Sequence, residues 1–375
     1  MKALCIDVET TTHNTGSWID SRNSLVMLAC YDGSQSRTYL SGELSKPSTH
    51  DFLGSYDIFV GFNIKFDLHW LKNVGIDLTD KHIIDVQLLE YFYSRQQNTY
   101  PSLNDISKRY LNKEKHDIIK IDYWDQGIQT DEIPTEILAN YAIQDVKLTW
   151  ENWQYLSKKL KPSQEVLFQL ANQDLICLFE MERQGLKYNR EGSLALAKEQ
   201  DNQIQQIRDK FNIQAHVPNF NWASGDHLSA LLYGGTINET LYVPNGHYKT
   251  GKRIGQVKLS KQIKTHHLPR QYTPIKDSEL AKKGFWSTDE DTLLKLHGKK
   301  RELLDGILKI KKLAKDNSTY LRGLPKRQDE GFYAQDMIYG SFNQSATNTG
   351  RLSSTKPNLQ NLSDNALQFF ESRYD

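Results

Sequence analysis

The sequence is poor in cysteine and has no long apolar run, and both absences narrow the field. Its three cysteines (Cys5, Cys30 and Cys177) stand far apart with no CxxC pair, which excludes a disulfide framework and a zinc ribbon. No stretch approaches the roughly 20 apolar residues that cross a bilayer. Asp7 and Glu9 fall where a secretory signal would carry its apolar segment. There is no internal repeat and no low-complexity tract, and the net charge is only +1. What remains is a chain of 375 residues, 38% hydrophobic and 25% charged. That is an ordinary folding mixture, long enough for two or three domains. The expectation is a cytoplasmic protein of a reducing compartment, neither secreted nor associated with a membrane.

The near-zero net charge hides an asymmetry. Residues 1–160 hold 16 Lys+Arg against 22 Asp+Glu, whereas residues 161–375 hold 31 against 24. Ten of the basic residues fall between Lys249 and Lys283, opposed only by Asp277 and Glu279. A run of that sign is either a solvated insertion or a surface for a polyanion. Its polar, Gly- and Pro-containing composition fits an insertion over about 235–285.

Residues 2–9 (KALCIDVE) alternate as a strand does, with Leu4, Ile6 and Val8 on one side and Cys5, Asp7 and Glu9 on the other. Strands are also predicted at 24–31, 37–40 and 57–61, and helices at 64–73, 85–93, 102–111 and 134–160. This order predicts an α/β sheet with helices on its faces. From 162 to 232 the pattern is helical, with Leu167, Leu170, Leu175, Leu178 and Phe179 at helical spacing. A long amphipathic stretch, 288–321, opens on the capping cluster Ser287–Glu290. The domains expected are 1–160, a helical region 161–330 carrying the basic insertion, and a third segment, 331–375.

Three separated segments supply acids. Asp7 and Glu9, two apart on a strand, leave the same face, and such a pair repels unless a cation sits between them or a solvated strand end disperses the charge. Asn63 and Asp67 in GFNIKFDLHWL stand at i, i+4 on one helix face, and so do Tyr141 and Asp145 in NYAIQDVKLTW. Asp85 reads as the cap of the helix that follows it. Phe62 and Phe66 read as core, and His69, His116, His266 and His267 as ordinary polar residues without metal-ligand spacing.

Taken together, DVET, NIKFD and YAIQD resemble the three motifs of the DEDD superfamily of 3′–5′ exonucleases in its tyrosine branch, over about residues 1–160. Asn140 and Tyr141 exclude the histidine branch. The resemblance implies an RNase H-like mixed sheet with flanking helices and two divalent ions, Mg²⁺ or Mn²⁺, held by hard oxygen ligands. It assigns Asp7 to bridge the ions, Glu9 and Asp145 to complete the first site, and Asp67 to hold the second through water. Tyr141 would orient the attacking water. Thr10 and Asn63 would touch the terminal nucleotide, although a strand-end hydrogen bond suits Thr10 equally well.

The segment SFNQSATNTGRLSSTKPNLQNL (341–362) resembles the family A DNA polymerases just before their first palm carboxylate. MERQGLKYN (181–189), NWASGDHLSALLYG (221–234), FWSTDEDTLLKL (285–296) and KLAKDNSTYLRGL (312–324) are similar to the helical thumb of that family. Residues 331–375 would then begin the polymerase palm. Candidate DNA contacts are Thr319, Tyr320, Arg351, Asn358 and Gln360, with Ser353 and Ser354 as short neutral donors. The 375 residues contain neither the two palm aspartates nor the fingers helix, and Asp364 and Asp375 have no matching context. No polymerisation is therefore expected from this chain by itself.

The resulting reading is the proofreading exonuclease portion of a viral- or phage-type family A polymerase, working on single-stranded 3′ ends and primer–template DNA in a bacterial or phage-infected cell. A separate palm-and-fingers chain, docked on an exposed edge after residue 331, would complete it. Two alternatives stand beside this reading: a freestanding 3′–5′ exonuclease trimming DNA ends, and a non-catalytic DNA-binding fragment of a split polymerase.

Overall fold

The computed structural model describes residues 1–115, 118–213, 216–297, 301–329 and 336–373. The expectations for His116, Asp375 and an edge beginning at 331 lie outside the described residues. Two compact units form: Met1–Arg190 together with Leu324–Asp375, and Glu191–Gly323.

The first unit is built on a five-stranded mixed sheet. β1 (Ala3–Thr10), β2 (Leu25–Tyr31) and β3 (Ser36–Leu40) form an antiparallel run. The short helices α1 (Ser41–Leu44) and α2 (Pro47–Gly54) then lead to β4 (Ile58–Gly61), which lies parallel to β1 on its other side. Helix α3 (Lys65–Asn73) follows, and β5 (His82–Asp85) closes the sheet, giving the order β3-β2-β1-β4-β5. The faces are covered by α4 (Val86–Tyr93), α5 (Leu103–Leu111), α6 (Ile118–Asp122) and the long α7 (Thr135–Ser157). Because helices pack on both faces, β1 buries Leu4, Ile6 and Val8 on one side and Cys5 on the other. The sequence-based elements fall within a few residues of those observed, and the mixed α/β class is the one expected.

The first boundary differs from expectation. Helix α8 (Pro162–Gln184) sends Phe168, Ala171, Leu175 and Phe179 into the same core as the sheet. Leu167 and Leu170, counted on its buried face from spacing, are instead about half exposed. The real stripe runs through Phe168 and Ala171, so the first unit extends to Arg190.

The second unit contains α9 (Arg190–Phe211), which starts at the boundary residue, and α10 (Gly225–Tyr233). Next come β7 (Gly235–His247) and β8 (Val257–Leu268), then α11 (Glu290–Leu294) and α12 (Arg301–Asp316). Within the amphipathic stretch expected over 288–321, the described residues thus form α11, α12 and a π turn, Asn317–Leu321. Its core gathers Ile204, Trp222, Leu228, Leu231, Leu304 and Ile307. The basic insertion is an antiparallel ribbon rather than an irregular loop, with Glu239 opposite Lys264 and Tyr242 opposite Lys261. Only its root is buried, at Ile237 and Glu239.

The chain then returns to the first unit through α13 (Gly323–Gln328). The short β6 (Leu186–Tyr188) takes β9 (Met337–Ile338) on one side and β12 (Phe370–Glu371) on the other. The strand after 331 is therefore paired on one side. β10 (Ser341–Asn343) and β11 (Ser353–Thr355) form a separate hairpin, and α14 (Asp364–Leu367) precedes β12. The third segment is not a separate body. Gln344 Nε2 donates to the Ala171 carbonyl at 2.9 Å, and the Tyr91 hydroxyl to that of Thr347 at 2.5 Å.

Candidate active site

The site grows from one strand and the two helices beside it. Alternation along β1 puts Asp7 and Glu9 on the face that α7 covers, and α7 presents Asp145 there while burying Ala142 and Val146 against the sheet. Carboxylate oxygens of Asp7, Glu9 and Asp145 lie within 4.8 Å of one another. The β1–β4 pairing ends at Cys5 and Val60. Beyond it, Asp67 in the first turn of α3 takes over the strand's hydrogen bonding, its Oδ1 accepting from the Val8 amide at 2.8 Å. The four acids from three separated segments thus meet along one strand.

Electrostatics show how costly that meeting is. Burial pushes the Asp7 carboxyl up to about 8, the Asp145 charge adds to the rise, and the Lys115 ammonium opposes it. Glu9 is raised well above its ordinary value by burial, then by Asp7 and Asp145. Asp67 is raised by burial and the Asp7 charge, while the Val8 amide pulls the other way. A cluster of this kind favours either protons or a cation.

Two supports were invisible in the sequence. Asp85 caps α4 as expected, accepting from Gln87 N at 2.8 Å and Leu88 N at 3.4 Å. It also reaches back to the amides of Asn63 (3.1 Å) and Ile64 (3.2 Å), stapling the turn into α3, where Asn63 sits at φ +54°. Burial lifts Asp85 to about 6 against those four amides. Lys115 pairs with Asp145 Oδ2, and its Nζ lies 3.8 Å from the centroid of the Tyr141 ring. No periodicity marks it; KEKHD reads simply as a charged linker.

The other candidates are placed as follows. Thr10 is buried, its hydroxyl donating to the Thr11 carbonyl at 3.1 Å. A Cβ at Gly16 (φ +69°) would come within 2.9 Å of that hydroxyl, so the turn facing Thr10 requires glycine. Phe62 and Phe66 pack on the core. Arg351, Asn358 and Gln360 are exposed in the 341–362 segment, with Asn358 Oδ1 accepting from the Gln360 amide at 3.0 Å. Thr319 and Tyr320 sit in the π turn of the other unit.

His69 and His266, read from the sequence as ordinary polar residues, each lie against a buried glutamate. His266 Nε2 lies 2.8 Å from the buried Glu239. The His69 ring is buried, stacked on Trp18 at 4.5 Å, with Nε2 2.7 Å from Glu182 Oε2. Glu182 also takes Lys65 Nζ at 2.5 Å and the Phe342 amide at 2.6 Å, while Lys65 donates to the Phe342 carbonyl. One buried glutamate thus ties α3, α8 and β10 together.

Comparison with known proteins finds two families along the chain. Residues 1–161 match the 3′–5′ exonuclease family and residues 256–372 match DNA polymerase family A. DNA polymerase I of Synechocystis sp. is 27% identical over 307 residues, covering 80% of this chain and 26% of that protein. DNA polymerase I of Bacillus subtilis is 44% identical over 79 residues, 20% of this chain and 8% of that one. The chain spans about a quarter of the length of the long-matching curated relatives. Among solved structures, the POL domain of Pol1 from M. smegmatis, in complex with DNA primer-template and dNTP, has the same fold. Its TM-score is 0.67 at 18% identity, over 98% of this chain and 53% of that one.

Proposed function

We propose, for a chain that joins a 3′–5′ exonuclease domain to part of a family A DNA polymerase domain, that it hydrolyses the 3′-terminal phosphodiester of DNA with two divalent ions and releases nucleoside 5′-monophosphates. The observation that carries this reading is the meeting of Asp7, Glu9 and Asp145 within 4.8 Å. Those side chains fit Mg²⁺ or Mn²⁺: every donor is a hard carboxylate oxygen, Asp7 is pushed toward protonation by burial and the Asp145 charge, and Glu9 by burial and the charges of Asp7 and Asp145. Asp7, Glu9 and Asp145 would hold one ion, and Asp7 with Asp67 the second. Such ions, when bound, neutralise the phosphodiester and make water acidic enough to attack it.

The chain's own residues do the rest. The Val8 amide fixes the direction of Asp67, and α7 fixes Asp145 and Tyr141 on one face. Tyr141 orients the attacking water by hydrogen bonding, since a phenol of pKa about 10 is a poor base at neutral pH. The staple from Asp85 sets Asn63 at the mouth of α3 to meet the terminal nucleotide, and Thr10 at the end of β1 is the second residue assigned to that contact. Arg351, Asn358 and Gln360 contact primer–template DNA in the first unit. In the second unit, Thr319, Tyr320 and the basic ribbon are the groups that would contact DNA. Between Lys249 and Lys264 the ribbon carries six Lys+Arg and no acid.

The direct test uses a 5′-labelled single-stranded oligonucleotide. With Mg²⁺ or Mn²⁺ the label should appear in a ladder shortened from the 3′ end, and chelator should stop it. A duplex with a mismatched 3′ end should be trimmed faster than a matched one, because unpairing is cheaper there. Degradation from the 5′ end, or undiminished cleavage in chelator, would sink the reading.

A further inference from the structure

The carboxylate cluster already contains a cation of the protein's own. Lys115 lies just past α5, and three interactions fix the backbone that carries it. Its amide donates to Asn104 Oδ1 at 3.0 Å, Glu114 pairs with Lys108 at 2.5 Å, and Lys113 pairs with Glu151 of α7 at 2.5 Å. The side chain keeps only 9% of its exposure. Its ammonium meets Asp145 Oδ2 and stands over the ring of Tyr141, one turn earlier on the same helix. It also opposes the upward push on both Asp7 and Glu9. A long, flexible side chain reaches so buried a place at an entropic cost, which the charge it finds there must offset.

We propose that Lys115 is a resident counter-ion that holds the carboxylates together in the metal-free protein and competes with divalent cations for Asp145. The inference rests on the two-metal reading above. Three acid groups share one ammonium, so a divalent cation that displaces the protons favoured on Asp7 and Glu9 still finds more carboxylate oxygens than the lysine can satisfy. To use Asp145 Oδ2, that cation must displace the ammonium. The ammonium can leave the oxygen and keep its place over the Tyr141 ring, because the cation–π interaction does not depend on Asp145. Lys115 is in this sense a positioning residue. It acts through Asp145 and Tyr141, and it sets the metal concentration at which the site fills.

The test is Mn²⁺ binding to the metal-stripped chain, measured by calorimetry without substrate. Lys115→Met should bind Mn²⁺ more tightly, by a few-fold to about tenfold in Kd, the scale of a partly buried ion pair. Lys115→Arg should return the Kd toward wild type. The Lys115→Met protein should melt lower in chelator and gain more on adding Mn²⁺ than wild type gains. Measurement is repeated at alkaline pH, where protons compete least for the carboxylates. An unchanged or weaker Kd for Lys115→Met at both pH values would overturn the proposal while leaving the metal reading intact. Absence of Mn²⁺ binding in the wild type would overturn both. Should Lys115→Met fail to fold, amine labelling of wild type decides the matter. Mn²⁺ should raise the labelling rate of Lys115 several-fold relative to Lys65, and an unchanged ratio would refute the competition.

Discussion

The carboxylate cluster and the β7–β8 ribbon are both concentrations of like charge, and the protein treats them in opposite ways. Asp7, Glu9, Asp67 and Asp145 are drawn into the interior, where each position is fixed by a strand register, a helix face or a backbone amide. The lysines of the ribbon are left in water, where their charge is dispersed and their side chains stay free. Burial makes repulsion expensive, so it is tolerated only where geometry returns something for it. Exposed charge costs little, and it supports an argument about affinity for polyanions but none about chemistry. The buried cluster should therefore fail abruptly when one member is removed, and the ribbon gradually.

The largest expected effect is at Asp7. Asp7→Ala should lower exonuclease turnover by a factor of about 10³ or more, since a shared ligand of both ions is removed. The protein should also melt no lower than wild type in chelator, because a half-buried carboxyl pushed up to about 8 is a source of repulsion. A rate within tenfold of wild type would put this cluster in the same class as the ribbon.

Next is Glu182, a buried acid with no part in the chemistry. Glu182→Ala strands the Lys65 ammonium and frees the Phe342 amide, at a cost of about 3–5 kcal/mol, and should lower Tm accordingly. Glu182 is held below the ordinary carboxylate range: its bonds to His69 and Lys65 outweigh burial, the largest single influence, which pushes upward. A depressed folded-state pKa adds stability that is complete above the unfolded value of 4.5 and is lost as pH falls through the folded one. The difference in Tm between wild type and Glu182→Ala should therefore shrink on acidification below that range. A constant difference would mean that the interaction is packing rather than charge.

Tyr141→Phe should be milder, lowering turnover by about tenfold to a hundredfold with Mn²⁺ affinity unchanged, since only the orientation of water is disturbed.

The same contrast explains what the sequence made legible. Asp7 and Glu9 could be read because a strand's period of two fixes their common face. Tyr141 and Asp145 could be read because the helix period does the same. Asp85 was legible as a cap, since that bond is local, but its hold on Asn63 spans 22 residues and depends on β4 and β5 being neighbours. Lys115 and Glu182 were missed for the same reason. One sits in a charged linker and the other in a helix expected to belong to a different domain, and each acquires its meaning only from partners distant in the chain. The turn residues marked 235–285 as set apart from the core, but not as a ribbon, whose strands lack a buried face along most of their length. Apolar alternation, the usual sign of a strand, is present only in pieces there (Ile237, Leu241 and Val243; Val257, Leu259 and Ile263), interrupted by Glu239 and Lys261.

That absence of a buried face makes the ribbon the place where the comparison can be sharpened most finely. Lys258, Lys261 and Lys264 project from β8, and the strand is exposed at all three. Replacing all three with serine should leave the fold intact, because surface substitutions rarely move stability by more than about 0.5 kcal/mol. Trimming of a short single-stranded oligonucleotide should be unaffected. Affinity for a longer primer–template should fall, and the slope of log affinity against log salt should become shallower by about 0.9 for each phosphate no longer neutralised, up to roughly 3 in all. Because counterion release is nearly additive, single replacements should each give about a third of that change, unlike the all-or-none failure at Asp7. If the triple variant kept the wild-type salt slope, the ribbon's charge would serve only solvation. If instead one lysine carried the whole effect, the ribbon would grip DNA at one specific point, and the distinction between buried and exposed charge would need to be redrawn at that residue.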